Sequence, residues 1–315
     1  MQVIQYSPDR RDAWDAFVRC AKNRLFMFER DYMDYHAARF EDHSLLFYEE
    51  ERLVALLPAN RVQDVLYSHG GLTFGGFVTG RSMGQVLMLK CFAVLRQYMG
   101  ELGIVRLHYK AIPHIYHTLP AEEDTYALFM NGGTIDKVEP TTTIDLCLAP
   151  RFSKGRKAQV VRARSRGILV EESHNFSGFM KLLSLVLQER HGTVPVHSIE
   201  EMRLLCARFP LNIRLFIARR GAEMLAGSIV YIYDDVVHTQ YMVANLQGKK
   251  DGALDAVIAH LMHLFTPHCR YFDFGISTEQ AGRLLNQGLV QQKESFGGNT
   301  VCHSTWIVEP ERTPA

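Results

Sequence analysis

The sequence predicts an α/β protein with mixed sheets, built from two tandem copies of one structural unit. Apolar strand-like runs alternate with amphipathic helix-like segments along the 315 residues, and the order of these elements occurs twice. In each copy a Gly-x-x-x-Gly sequence stands directly before a long apolar helix. Because the element order and the glycine placement recur together, we interpret the chain as a duplication.

The elements of the first copy follow from local patterns. Ser7 and Pro8 start its first helix, and charged turns separate the apolar runs of its antiparallel meander. We predict a helix over 8–22, the meander over 44–77 and a glycine-opened helix over 80–103. A strand over 104–112 and a closing strand over 139–150 follow.

The second copy repeats this plan after a basic helix. Asn175 or Ser177 caps its next helix. We predict the basic helix over 151–167, a helix over 175–190 and a meander over 213–245. A glycine-opened helix over 248–265 and a strand over 271–277 follow. We place the domain boundary near Pro150, which gives a first domain over 1–150 and a second over 151–315.

Composition and charge narrow the class of protein. The chain has 35 Lys and Arg against 34 Asp and Glu, a net charge of +1. This balance argues against a surface built for duplex nucleic acid, although a local basic patch remains compatible with it. Scattered cysteines without a C-x-x-C pair, and no recognisable signal peptide, predict a cytoplasmic protein. No apolar run reaches the roughly 20 residues of a membrane span.

The segment 248–252 has the composition of an anion site. Gly248 and Gly252 allow close approach of a ligand to the backbone, and Lys249 and Lys250 add positive charge at a helix start. A pyrophosphate or a nucleic-acid phosphate fits this pattern. A solvated Lys-Lys face is the alternative.

Three stretches of the second copy carry a further signal: the basic helix 153–168, the strand end "FDFGIS" at 272–277, and "LNQGLVQQKESFGG" at 285–298. Together they resemble the Fem-type (FemABX-like) tandem GNAT acyltransferases. The resemblance implies two tandem GNAT-like domains, with the acceptor at the first and the donor-binding loop at the second. It also implies direct acyl transfer without a nucleophilic Ser or Cys.

The resemblance also assigns site residues in the second domain. Lys293 matches the signature lysine, which would bind donor phosphate or stabilise the tetrahedral intermediate; a surface lysine is the alternative. Asp273 and Ser277 would handle a proton or bind the acceptor, with a helix-capping carboxylate as the alternative for Asp273. The GNAT pyrophosphate pattern would run from Gln247, but the glycine expected at its fourth place is missing and Gly252-Ala253 arrives two residues late. Donor choice therefore stays open.

Candidate acceptor residues come mainly from the first domain. Asp34, His36 and Arg39 form a dense polar set suited to a sugar or phosphate, and too weakly spaced for a metal, so we predict no metal site. His69, in Ser-His-Gly-Gly, is a candidate base or a loop histidine. Three further residues are acceptor candidates. Tyr109 and Lys110 would line a cleft. Arg162, from the basic helix, would contact a diphosphate or an RNA acceptor stem; the alternative is that this helix is a solvated linker.

The sequence therefore predicts an N-acyltransferase without a tightly bound cofactor. It would move an acyl group from a thioester, acyl-CoA or an acyl carrier protein, to an amine of a cell-envelope or nucleotide-linked sugar or peptide precursor, or of a lipid-linked acceptor. Transfer from aminoacyl-tRNA is the alternative donor chemistry. Two alternatives from other classes are a non-catalytic ligand-binding relic and an RNA-binding module that uses the basic helix.

Overall fold

A computed structural model describes residues 1–149 and 151–311, which form two compact units. Unit 1 comprises residues 1–140, 280–284 and the described part of 302–315, and unit 2 comprises 141–279 and 285–301. Pro150, where we placed the domain boundary, lies outside the described residues, so the boundary stays a prediction. The mixed α/β class and the tandem GNAT-like organisation predicted from the sequence agree with these two units.

The helices largely match the predicted segments. They are α1 Arg11–Cys20, α2 Arg30–Met33, α3 Gln85–Glu101, α4 Glu123–Met130, α5 Lys154–Ser165, α6 Phe176–His191, α7 Ile199–Arg208, α8 Leu246–Asp251, α9 Ala253–Phe265 and α10 Gln287–Glu294. Short 3-10 segments cover Pro8–Arg10, Phe26–Phe28, Asp34–Arg39 and His114–Tyr116. The Asn175 side chain accepts a hydrogen bond from the Gly178 N–H and so caps α6 as predicted.

The strands are short in unit 1 and longer in unit 2. They are β1 Gln2–Gln5, β2 Glu41–Asp42, β3 Leu45–Glu49, β4 Arg52–Leu57, β5 Asn60–Val62, β6 Val65–Tyr67, β7 Val78–Thr79, β8 Arg106–Lys110, β9 Thr134–Asp145, β10 Leu169–Ser173, β11 Ile213–Arg220, β12 Glu223–Ile232, β13 Val236–Ala244, β14 Tyr271–Ile276, β15 Thr278–Glu279, β16 Leu284–Leu285 and β17 Asn299–Val308.

Unit 1 corrects one sequence prediction. The segment 44–77 is not one continuous meander: β3 and β4 pair with β1 and β7 in one sheet, whereas β5 and β6 join β2 and β8. The break falls at Pro58, which follows the last residue of β4. Because proline has no N–H to donate, the ladder cannot continue through it.

Unit 2 contains the predicted meander and positions the candidate site. Strands β10 to β13 are antiparallel neighbours, β14 pairs with β13 in parallel, and the second half of β9 pairs with β14. Val237 and Phe272 belong to the apolar core that contains α9. Successive side chains of a strand point to opposite faces, so the residues after them, His238 and Asp273, face the other side of the sheet.

Candidate active site

Strands β13 and β14 separate at the centre of unit 2. Their parallel pairing covers Val236–His238 against Tyr271–Asp273, after which β13 continues to Ala244 and β14 to Ile276. A register shift between β12 and β13 leaves Gln240 as an extra residue between Thr239 and Tyr241. The carboxyl ends of two parallel strands that diverge form a crevice of the kind in which α/β proteins bind ligands.

Asp273 lies at the point of separation and is fully buried. Its Oδ1 accepts hydrogen bonds from Thr141 Oγ1 at 2.6 Å and from Thr143 Oγ1 at 2.8 Å. Its Oδ2 accepts the Gly275 N–H at 3.2 Å and lies 2.7 Å from His238 Nδ1. Four donors thus compensate the desolvation of this carboxylate. Its surroundings do not support the helix-capping alternative considered from the sequence.

His238 is a candidate site residue that the sequence reasoning missed. Because the Asp273 carboxylate accepts at Nδ1, that nitrogen carries the proton and Nε2 becomes the basic nitrogen of the ring. Gly275 adopts φ +72°, and a Cβ there would lie 3.1 Å from His238 Cε1. A histidine directly after two buried valines of β13 was the available signal, but its pairing with Asp273 depends on the strand register.

Lys293 lies in the last turn of α10 and is 3% exposed, so it is not a surface lysine. Its ammonium donates to Gly275 O at 2.9 Å, Ile276 O at 2.7 Å and Ser277 Oγ at 2.9 Å. Burial lowers the pKa of Lys293 to about 8, and the nearby Asp273 opposes this shift. All three ammonium protons have acceptors. Since Ser277 Oγ accepts one of them, the Ser277 O–H proton is left for donation.

Tyr241 and His197 extend the polar face on which His238 lies. His238 pairs with Tyr231 and, beyond the extra residue, Tyr241 pairs with Ile229, so His238 and Tyr241 share one face of the sheet. His197 Nδ1 lies 2.7 Å from Tyr241 Oη. Burial raises the pKa of Tyr241, so its phenol stays protonated. The sequence reasoning also missed this pair, because its members lie far apart in the chain.

Comparison with known proteins agrees with this geometry. Residues 153–281 match the family of the acetyltransferase (GNAT) domain. Residues 153–281 are therefore similar to a GNAT acetyltransferase domain. This match confirms the prediction of an N-acyltransferase. A search of curated proteins gave no sequence match.

Solved structures support a tandem GNAT fold over the whole chain. FemX is similar with a TM-score of 0.67 and 10% identity over 96% of this chain and 97% of that chain. A C-terminal domain from Agrobacterium fabrum is described as that of a lysylphosphatidylglycerol synthetase. It is similar with a TM-score of 0.60 and 13% identity, over 95% of this chain and 91% of that chain. A tandem GNAT protein of the clavulanic acid pathway is similar with a TM-score of 0.54 and 12% identity, over 99% of each chain. The predicted Fem-like tandem GNAT fold is therefore confirmed.

The predicted glycine loop of the GNAT domain is a helix instead. Asn245 caps α8 by accepting the Gly248 N–H, and Gly252 ends α8 in the left-handed conformation at φ +74°. A Cβ on Gly248 would collide with Leu225 O, and a Cβ on Gly252 would collide with Gln159 O. These glycines therefore approach the protein's own backbone.

Of the other predicted donor residues, Gln247 and Ala253 are held by internal contacts. Gln247 donates to Asp251, which also accepts from Arg220, and Ala253 is fully buried in the core. Lys249 and Lys250 are exposed on α8, and Arg162 donates to Lys250 O. GNAT domains typically use acyl-CoA as co-substrate, but residues 247–253 do not fit as an open pyrophosphate cradle.

This packing predicts a stability effect. Gly252→Ala is expected to lower the free energy of unfolding by about 2–4 kcal/mol, because the new Cβ is strained by its φ and collides with α5. Gly192→Ala is the matched control. Gly192 has φ +61°, but a Cβ there would have no atom within 4 Å, so the free energy of unfolding should fall by only about 1 kcal/mol. Urea unfolding of both variants measures this difference. Equal effects would mean that Gly252 is not held by its contact with α5.

In unit 1, the predicted acceptor set is largely held by internal contacts. The Asp34 carboxylate pairs with Arg30 at 2.5 Å. The His36 and His69 rings lie 5.1 Å apart, and Arg39 lies over the Tyr35 ring. Burial, with His36 and Lys110 nearby, lowers the pKa of His69 to about 2. An imidazole with so low a pKa is a weak base near neutral pH.

Tyr109 and Lys110 are also enclosed in unit 1. Tyr109 is fully buried; its hydroxyl donates to Asp124 at 2.6 Å and accepts the Phe77 N–H at 2.8 Å. Lys110 Nζ donates to Leu72 O, and burial lowers the pKa of this lysine to about 8. Roles of these residues in acceptor binding stay predictions.

The burial of Asp124 predicts a pH effect on stability. Burial raises the pKa of Asp124 from 3.8 to about 6. Between these values the folded chain binds more protons than the unfolded chain, so the Asp124 contribution to stability falls as pH rises from about 4 to 6. Asp124→Asn should remove that contribution, so that urea midpoints of variant and wild type converge at low pH and differ most above pH 6. A constant difference across this range would contradict the shift.

Proposed function

We propose that the protein transfers an acyl group to an amine, with the chemistry in unit 2 where β13 and β14 separate. One observation carries this proposal. A buried His238–Asp273 pair and a buried Lys293–Ser277 pair are both bonded to the backbone of Gly275 or its neighbours at the end of β14. The proposed general base, His238, and a hydroxyl donor polarised by an ammonium, Ser277 with Lys293, thus lie at the same edge of the sheet.

Each residue has a role in this scheme. His238 Nε2 accepts a proton from the amine as its nitrogen attacks the thioester carbonyl carbon, and Asp273 stabilises the imidazolium that forms. The Ser277 hydroxyl, polarised by Lys293, donates to the carbonyl oxygen as it becomes an oxyanion. When the tetrahedral intermediate collapses, the C–S bond breaks and the imidazolium returns the proton to the leaving thiolate. The products are an amide and a thiol.

The donor is best described as a thioester on an acyl carrier protein. Residues 247–253 do not offer a cradle for a pyrophosphate, and a carrier's phosphopantetheine arm has no pyrophosphate. The exposed cations of α5 and of its C-cap, Arg166, suit an acidic carrier; those of α5 are Lys154, Lys157, Arg162 and Arg164. The proposed acceptor is an amine on a cell-envelope or nucleotide-linked sugar or peptide precursor in the cytoplasm.

An aminoacyl ester carried by tRNA is the second candidate donor. The observation that favours it is the fold similarity to a domain described as that of a lysylphosphatidylglycerol synthetase. The same basic α5 surface could contact the phosphates of an acceptor stem. The reaction at the carbonyl would be the same, with a C–O bond breaking instead of C–S.

A donor panel tests the proposal. Purified protein is incubated with decanoyl carrier protein, decanoyl-CoA or charged mixed tRNA, together with a panel of amino sugars and peptides, and amide products are followed by mass spectrometry. We expect product from the carrier thioester at the highest rate. Product from charged tRNA alone would select the second candidate. If no donor gives product while the protein binds these ligands, the protein is a binding relic.

A further inference from the structure

Two threonines of β9 contact Asp273 from the side of β14 that lies away from β13. Thr141 and Thr143 are two residues apart, so both side chains lie on one face of β9, and they are 1% and 5% exposed. Thr143 is the register partner of Asp273, whereas Thr141 pairs with Ile276, because β14 has an extra residue between the two pairs. Both hydroxyls nevertheless reach the same carboxylate.

The two hydroxyls divide the Asp273 carboxylate between β9 and β13. Its Oδ1 accepts both threonine O–H groups, whereas its Oδ2 accepts the His238 Nδ1–H and the Gly275 N–H. A carboxylate oxygen offers about two lone-pair sites, so the threonines occupy Oδ1 and the imidazole bonds to Oδ2. The plane of the carboxylate is therefore fixed with one oxygen directed at Nδ1.

The hydroxyls also act on the charge of the His238–Asp273 pair. A hydrogen bond to an ionised carboxylate favours the ionised form, and it weakens when a proton neutralises the carboxylate or when an imidazolium forms beside it. Removing the hydroxyls therefore destabilises the unprotonated pair more than the pair with one added proton. This holds whether the added proton resides on the imidazole or on the carboxyl. The pair should then take up its proton at a higher pH.

Four other titratable groups lie beside the pair or on its face of the sheet. They are Lys293 from α10, Tyr231 from β12, Tyr241 from β13 and His197 from the turn before α7. The residues that α6 buries against β13 are apolar. The hydrogen bonds of Lys293 and of the Tyr241–His197 pair go to atoms outside β9. A change confined to the threonine hydroxyls leaves these bonds intact.

We propose that Thr141 and Thr143 are positioning residues for the base: they direct Oδ2 of Asp273 at His238 and set the pH at which the pair takes up a proton. This inference rests on the proposed function and deepens it, because it names what keeps the base unprotonated, and so able to accept a proton from the amine, toward lower pH. Neither threonine touches the reacting atoms in this scheme.

NMR titration of the intact protein with isotope-labelled histidine tests the inference, and the His238 signal is assigned by its loss in His238→Gln. When Thr141→Val and Thr143→Val are combined, the His238 titration should move to higher pH by about one unit, and by about half of that in each single variant. Thr141→Ser and Thr143→Ser keep the hydroxyls and should titrate as the wild type does. Near-ultraviolet circular dichroism checks the fold of each variant, and the single variants decide the question if the double variant does not fold.

Thr142→Val is the matched control. It makes the same chemical change between the two threonines, but Thr142 shares its face of β9 with Ile144, which belongs to the apolar core. Thr142 is 3% exposed and so is buried to the same degree as its neighbours. The His238 titration should not move in this variant.

Two results would overturn the inference: a His238 titration that stays in place when the hydroxyls are removed, or an equal movement in Thr142→Val. Kinetics distinguish this from failure of the proposed function. If the acidic limb of the kcat–pH profile moves together with the titration, both stand. If the titration moves but no donor is turned over, or the limb stays in place, His238 is not the base and the proposed function fails, while the control of the pair by the threonines stands.

Discussion

Replacing His238 with glutamine is expected to lower kcat for acyl transfer by about 10²–10⁴-fold. Glutamine can still donate a hydrogen bond to Asp273, so the buried carboxylate stays satisfied, but it offers no basic nitrogen to the amine. The protein should therefore fold normally and bind its donor with unchanged affinity. Steady-state kinetics with saturating donor measures the effect.

The matched control for this variant is His263→Gln. His263 is exposed on α9, on the other side of the sheet from His238, so this change should leave kcat unaltered. Asp273→Asn should reduce kcat to a similar degree as His238→Gln, and the double variant should be little worse than either single one, because both remove the same base. Additive losses would mean that the two residues act separately.

Replacing Lys293 with methionine is expected to lower kcat by about 10²–10³-fold, because the polarising charge behind Ser277 is lost. Methionine fills a similar volume without an ammonium. Ser277→Ala should show a loss of similar size, and Lys293→Met should add little to it. The matched control is Lys181→Met, at an exposed lysine on α6, which should leave kcat unchanged.

The pH dependence of transfer follows from the same lysine. Since burial lowers the pKa of Lys293 to about 8, the ammonium is lost as pH rises through 8, and kcat should fall on that limb. Between about pH 8 and 10.5 the unfolded chain binds more protons than the folded chain, so the Lys293 contribution to stability rises with pH. Lys293→Met should abolish both effects. A rate that instead increases above pH 8 would indicate that the neutral amine is the active form.

Much of unit 2 could be predicted from the sequence because its signals are local. Periodicity and caps indicated α5, α6 and the meander of β11–β13, and the stretch "FDFGIS" at 272–277 indicated the end of β14. The partner of Asp273 could not be predicted, because it depends on which residue of β13 lies beside it, and strand register is a tertiary property. Gly248 and Gly252 were assigned to a phosphate because the sequence cannot tell whether a glycine makes room for a ligand or for the chain's own backbone.

The most direct test of the central claim compares two acceptors in the wild type and in His238→Gln. One acceptor is a primary amine, which must lose an N–H proton as its nitrogen attacks the thioester; the other is a thiol that is ionised at neutral pH, which has no proton to lose. If His238 is the base, the variant should lose most of its rate of acyl transfer to the amine and retain most of its rate of transfer to the thiolate. Equal losses with both acceptors would contradict a base at His238.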